Sequence, residues 1–190
     1  MAAFGGDHAI SFPLGRGLEA LGEFDVVQVD AHTDFYDEMD GSRLTGASQL
    51  RRLAELPLVG MVSALGVRNV DRIEVESIRE HGGRIATTRD VLERGPVDVV
   101  RETVRETPLY VSIDLDVLDS SVAPGHSLPE PGGLSYRELR ALLAAVARRG
   151  RVIGFDIVEL NPALDPSGAT ARVAAWTATH LLGEIFDQPR

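Results

Sequence analysis

Val26-Val27-Gln28-Val29 and Tyr110-Val111-Ser112-Ile113 are the two strongest strand signals in this sequence, and they decide its fold. Each run is short, rich in β-branched residues and apolar almost throughout. That pattern suits a strand covered on both faces rather than one with a face turned to water. Outward from these, strands are expected at Met1–Phe4, Asp25–Val29, Val59–Val67, Arg84–Thr87, Leu109–Leu115 and Val152–Val158. Helical periodicity fills the intervals Ser11–Glu23, Ser48–Leu56, Asp71–Glu80, Val97–Glu106 and Ser135–Arg149, and a last helix is expected over Ala169–Phe186. Glycine and proline punctuate the joins, at Gly82-Gly83, Gly95-Pro96, Pro108 and Gly150. Strands alternating with helices predict an α/β fold with a mostly parallel sheet. In such sheets ligands sit beyond the carboxyl ends of the strands, so the residues just after each strand carry the functional reading.

Composition narrows the classes. With 44% hydrophobic and 25% charged residues in 190, the chain is that of a folded protein, read as one domain over residues 1–190. No apolar run approaches the length of a membrane helix, and the first residues lack a basic, signal-like start, so a cytoplasmic protein with no membrane partner is expected. There is no cysteine, which excludes disulfides and thiolate metal sites. The formal charge of −10 argues against binding a nucleic-acid backbone. All basic residues are arginine, a bias that codon usage explains; it nonetheless excludes a Schiff-base or P-loop lysine.

The strand ends are acidic. Asp30-Ala31-His32-Thr33-Asp34 follows one strong strand; if the backbone stays extended, residues 30, 32 and 34 share a face. Read alone, this is as well a polar loop with a helix cap. Asp114-Leu115-Asp116 leaves the other strong strand, and the period of two again aims both carboxylates the same way. Two carboxylates leaving one buried strand repel and desolvate each other unless a cation lies between them. Asp119, further on, reads equally as a turn cap. Gly5-Gly6-Asp7-His8 follows the first strand. A lone loop histidine is more often a bystander, but here it is a third strand end with metal-type chemistry. The pooled set is His8, Asp30, His32, Asp34, Asp114 and Asp116. Six oxygen-rich donors exceed the needs of one tetrahedral zinc and suit manganese, with bridging carboxylates holding two ions.

Four segments in order now carry a family resemblance. Gly5-Gly6-Asp7-His8-Ala9-Ile10-Ser11, Asp30-Ala31-His32-Thr33-Asp34-Phe35-Tyr36-Asp37, Ser112-Ile113-Asp114-Leu115-Asp116-Val117-Leu118-Asp119 with Ala123-Pro124-Gly125, and Asp156-Ile157-Val158-Glu159-Leu160-Asn161-Pro162 resemble the metal and substrate motifs of the ureohydrolases, the arginase and agmatinase family. The resemblance implies a three-layer arginase-like fold lacking the first strand–helix units. It implies two Mn²⁺ ions, one on His8, Asp30, Asp34 and Asp114, the other on Asp30, His32, Asp114 and Asp116. It also implies hydroxide attack on a guanidinium carbon with release of urea, and Glu159 as the carboxylate pairing with the guanidinium. A homo-oligomer, trimer or hexamer, is implied as well. Agmatine is the expected small-molecule guanidino substrate, because Tyr36-Asp37-Glu38 reads more like agmatinases than arginases. Guanidinobutyrate, arginine and formimidoylglutamate are the alternatives.

Three departures matter. Family members carry a substantial segment before the Gly-Gly-Asp-His motif, whereas here Met1 stands four residues ahead of it, so the chain is expected to be an N-terminally truncated domain with an exposed sheet edge. Gly46 stands where the family usually has a proton-shuttling histidine. His126-Ser127-Leu128 replaces the Thr-Gly-Thr of many agmatinases and places His126 at the pocket rim, as a candidate shuttle or a bystander. Asp34, Glu159 and His126 are therefore the catalytic candidates, while His81 and His180 read as ordinary helix residues. A degenerate paralogue that binds metal without turnover is the competing reading.

Overall fold

The computed structural model describes residues 1–187. Six strands form one all-parallel sheet: β1 (Ala2–Phe4), β2 (Phe24–Val29), β3 (Val59–Val67), β4 (Arg84–Thr87), β5 (Leu109–Asp114) and β6 (Val152–Val158), in the order β1-β6-β5-β2-β3-β4. β2 and β5 are adjacent at the centre and buried along their whole length. Their alternate residues serve two cores. Val27, Val29, Val111 and Ile113 face one layer of helices, whereas Val26 and Tyr110 face the other. Because both faces are covered, neither strand shows a polar alternation, and this is why each reads as a continuous apolar run.

The helices are α1 (Ser11–Leu18), α2 (Gln49–Ala54), α3 (Arg72–Glu80), α4 (Thr88–Arg94), α5 (Pro96–Thr103), α6 (Tyr136–Arg149) and α7 (Ala169–Phe186). α6 buries Leu139, Leu142, Leu143, Val146 and Ala147, a stripe at helical spacing, and Ser135 with Glu138 closes a capping box at its start. Truncating one of these leucines to alanine costs about 2–5 kcal/mol. The sequence pattern predicts no helix at α4. That helix buries little more than Val91 and Thr88, so its apolar period is weak; the Thr87–Asp90 capping box starts it and Gly95, at φ 85°, stops it. α1 is shorter than expected because the chain tightens into a 3₁₀ turn at Glu19–Leu21 and leaves through Gly22 at φ 102°. Among the described residues β1 lies at one edge of the sheet and pairs with β6 alone, and Phe4 is 54% exposed there. Among the described residues no helix is long and apolar enough to cross a membrane.

Candidate metal centre

The carboxyl ends of β1, β2, β5 and β6 open into a cavity of about 330 Å³. The expected groups meet there, but by a backbone route different from the one the alternation suggested. After β2 the chain stops being extended, and Asp34 enters the left-handed region at φ 49°. After β5, Leu115–Val117 forms a 3₁₀ turn with Asp114 as its cap, the Asp114 Oδ1 accepting from the Asp116 amide at 2.8 Å. Turn geometry, not a period of two, brings Asp114 and Asp116 together. Gly66 lets the end of β3 pass close by. At φ 93° it favours glycine, and a Cβ there would stand 2.6 Å from Val117 and 3.3 Å from the Asp30 carbonyl.

His8 sits at the centre. Its Nδ1 lies 3.2 Å from Asp30 Oδ2, 2.9 Å from Asp34 Oδ2 and 3.1 Å from Asp114 Oδ2. His8 Nε2 contacts Ser112 Oγ at 2.8 Å. Ser112 donates its proton to Asp156 Oδ1 at 2.8 Å, and Gln49 Nε2 stands 3.1 Å from the same His8 nitrogen. These contacts hold the ring with Nδ1 turned to the three carboxylates. Tyr110 donates to the other Asp156 oxygen, completing a buried chain from tyrosine to imidazole. Asp30 accepts from Gln28 Nε2 at 2.8 Å and from the His32 amide at 2.6 Å. His32 Nδ1 lies 2.9 Å from Asp116 Oδ2 and 3.4 Å from Asp30 Oδ1. Two ligand-like groups result, His8/Asp30/Asp34 and Asp30/His32/Asp116, with Asp30 common to both. Asp114 reaches His8 from the other side.

The electrostatics show how crowded the site is. Burial disfavours a charged His32, but its hydrogen bonds to Asp116 and Asp30 outweigh that and push the imidazole up to about 11. Burial likewise opposes charge on His8, and Asp114, Asp30 and Asp34 together raise it well above the ordinary histidine value. Burial, then the charges of Asp116 and Asp30, push Asp114 far above the usual carboxylate range; burial and Asp30 raise Asp116. Four aspartates against two imidazoles is an excess of negative charge that an added cation relieves.

Glu159 follows β6 at φ 58°, its amide donating to the Gly6 carbonyl at 2.7 Å, and its half-buried carboxyl lines the cavity. Burial raises its pKa, and His8 opposes the rise. Gly46 lines the cavity too, where a Cβ would stand 3.5 Å from Asp7 Oδ1, an ordinary contact.

His126 is not at the rim. It is 3% exposed, it is not among the cavity-lining residues, and neither ring nitrogen has a hydrogen-bond partner among the described residues. The cause is local. The Gly125 amide donates to Thr170 Oγ1 and its carbonyl accepts from the Asn161 amide, both at 2.8 Å, which pulls the loop inward. Burial lowers the imidazole pKa. His81 caps the end of α3 with Nδ1 on the Ser77 carbonyl, and His180 contacts the Arg140 carbonyl, both away from the cavity. Sequence reasoning missed Gln28, Gln49, Ser112 and Asp156, the polar groups that orient the ring and carboxylates. Polar residues inside otherwise apolar buried strands were the available signal for Gln28, Ser112 and Asp156.

With that geometry in place, similarity to known proteins is informative. The sequence pattern of the Arginase family matches residues 1–183. The N(1)-aminopropylagmatine ureohydrolase of Thermus thermophilus is 40% identical over 166 residues, 85% of this chain and 55% of that protein. The solved structure of proclavaminate amidinohydrolase from Streptomyces clavuligerus superimposes with a TM-score of 0.88 at 32% identity, over 97% of this chain and 64% of the other. That of formimidoylglutamase from Bacillus subtilis gives 0.88 at 30% identity, over 98% and 61%. The chain thus spans a little over half the length of the Thermus relative. A pattern match over nearly the whole chain, on the fold and strand-end residues described, makes this chain a member of the Arginase family.

Proposed function

We propose that this chain hydrolyses a linear guanidino compound with the help of two manganese ions, and that its substrate is agmatine, giving putrescine and urea. The observation that carries the proposal is the His8 Nδ1, buried, without a hydrogen bond of good geometry among the described residues, and faced by three carboxylate oxygens from two other segments. One ring nitrogen and three carboxyl oxygens aimed at one another fit a shared cation, which would take the place of the protons they otherwise hold, and the oxygen-rich set suits Mn²⁺. His8, Asp30, Asp34 and Asp114 would hold one ion; Asp30, His32, Asp114 and Asp116 would hold the other. Bound there, the ions would supply a nucleophile at neutral pH by acidifying water.

The remaining steps belong to the protein. Glu159 receives the substrate guanidinium through paired charge-assisted hydrogen bonds, which fixes the carbon over the aspartates. Attack of water oxygen on that carbon is followed by rupture of the bond to the alkyl nitrogen. The amine departs with a proton relayed by Asp34, and urea remains. Gly46 offers no proton donor, so delivery rests on Asp34 and water. This favours one alternative, a chain that binds metal and turns over slowly, because general acids typically contribute 10²–10⁴ in rate. The reading carries with it a cytoplasmic homo-oligomer, trimer or hexamer, which light scattering would test.

The deciding experiment is product release from the manganese-loaded chain. Agmatine, guanidinobutyrate and arginine are assayed for urea, and formimidoylglutamate for formamide. Agmatine is expected to give the highest kcat/KM. Release from another substrate alone would move the assignment, and no release from any would leave the metal-binding paralogue.

A further inference from the structure

One cavity wall carries a carboxylate that the proposed chemistry leaves unused. Glu130 lies on the loop between β5 and α6, with Oε1 3.6 Å from the outer ring nitrogen of His32. It is thus one imidazole's width beyond the Asp116 carboxylate, on the solvent side of the cluster. Asn69 Nδ2 donates to the same Oε1 at 2.6 Å, and no hydrogen bond engages Oε2 among the described residues.

The position is rigidly built. The Arg68 guanidinium donates to four carbonyls at once: Asp116 at 2.6 Å, Glu130 at 2.9 Å, Pro131 at 3.1 Å and Val117 at 3.3 Å. It fastens the Glu130 loop to the turn that bears Asp116. A half-exposed glutamate on a free loop would lose side-chain and backbone entropy on meeting a ligand; here much of that loss is already met by folding.

The charge of the cavity points the same way. Arg68 is spent on backbone carbonyls, and no arginine is among the lining residues, which include Asp34, Asp71, Glu74, Glu130 and Glu159. Apart from the two cluster imidazoles, a substrate whose far end is a carboxylate would meet acidic side chains, whereas an ammonium would meet Glu130.

We infer that Glu130, held by Asn69 and by the Arg68 clamp, receives the ammonium at the far end of the substrate and so selects guanidino-amines over guanidino-acids. This rests on the proposed guanidino hydrolysis and adds to it the residue that reads the tail.

The test is Glu130→Gln, which keeps an acceptor for Asn69 and removes only the charge. Three tails are compared on manganese-loaded protein: agmatine (ammonium), butylguanidine (methyl) and 4-guanidinobutyrate (carboxylate). Expected is a roughly tenfold or larger rise in KM for agmatine with kcat nearly unchanged, less than a twofold change for butylguanidine, and unaltered manganese content. Equal losses on agmatine and butylguanidine, or loss of metal, would overturn the proposal and assign Glu130 to positioning His32. No change would place the tail elsewhere and also overturn it. Binding of agmatine and butylguanidine to metal-stripped protein, by calorimetry, supplies a readout without turnover. The wild-type preference for agmatine should vanish in Glu130→Gln and persist in Asp40→Asn, which removes one charge from the Met39–Ser42 turn next to the cavity-lining Met39. If both variants lower it alike, only the general field is at work and the proposal fails. Hydrolysis of no guanidino compound would refute the reaction, while this binding preference would still decide the role of Glu130.

Discussion

Asp34 and Glu159 share a left-handed backbone, φ 49° at one and 58° at the other, and both line the same cavity from loops that follow different strands. Such a conformation costs about 1–3 kcal/mol at a non-glycine residue and persists only where surrounding contacts hold it. The Asp34 carbonyl accepts from the Leu50 amide, and the Glu159 amide donates to Gly6, so each loop is tied on its own side. Asp34→Asn keeps a residue that tolerates positive φ and removes only the charge. Its expected outcome is at least a tenfold loss of manganese affinity with the far-UV circular dichroism unchanged, read by metal analysis after dialysis.

Glu159→Gln should behave in the opposite sense. The carboxyl belongs to neither ligand-like group, so metal content is expected to match the wild type while kcat/KM for the guanidino substrate falls by about 10²-fold, the scale of losing a charge-assisted pair in a shielded site. Steady-state kinetics with parallel metal analysis checks both halves.

Removing metal should destabilise the fold. A cation that binds the native state alone at a hundred times its dissociation constant adds about 2.7 kcal/mol. The melting temperature should therefore fall on chelation and recover with Mn²⁺ more fully than with Zn²⁺. An unchanged melting curve would count against a site that draws His8, Asp30 and Asp114 together from three loops.

Gly46→His tests the missing proton donor. The site has room, since a Cβ meets nothing closer than 3.5 Å. Stability is expected to change little and kcat to rise, by up to about 10²-fold, with a new pH dependence near neutrality. A silent substitution would mean that proton delivery already proceeds without a group at this position.

His126 gives a pH dependence of stability. Burial lowers its folded pKa below the roughly 6.5 of the unfolded chain. Between the two values the unfolded chain binds more protons. Its contribution is therefore complete above about 6.5 and is lost as pH falls through the folded value. Relative to His126→Gln, the wild type should lose urea resistance between pH 7.5 and 5.5. Parallel slopes for the two proteins would exclude His126 from the effect.

The strands and the acidic strand ends were legible because burial on two faces writes continuous apolar runs, and carboxylates just after such runs stand out. Backbone conformation was not. The alternation argument placed Asp30, His32 and Asp34 on one extended face, yet Asp34 turns left-handed; it made Leu115 a strand residue, yet a 3₁₀ turn begins there. Nor could spacing reveal that Arg68 is spent on four carbonyls or that Gly125 draws His126 inward, since both depend on contacts between segments far apart in sequence.

The position of β1 ties the centre to a contact distant in sequence. Among the described residues this strand pairs with β6 alone, and β6 is the last strand of the described sheet. The neighbouring strands β2 and β5 carry or lead into Asp30, His32, Asp114 and Asp116, whereas β1 reaches β6 across most of the described sequence, Ala2 facing Phe155. His8 therefore joins the centre through a contact between the first and last strands of the described sheet, and loosening the β1–β6 pair would loosen that one imidazole before any of the aspartates.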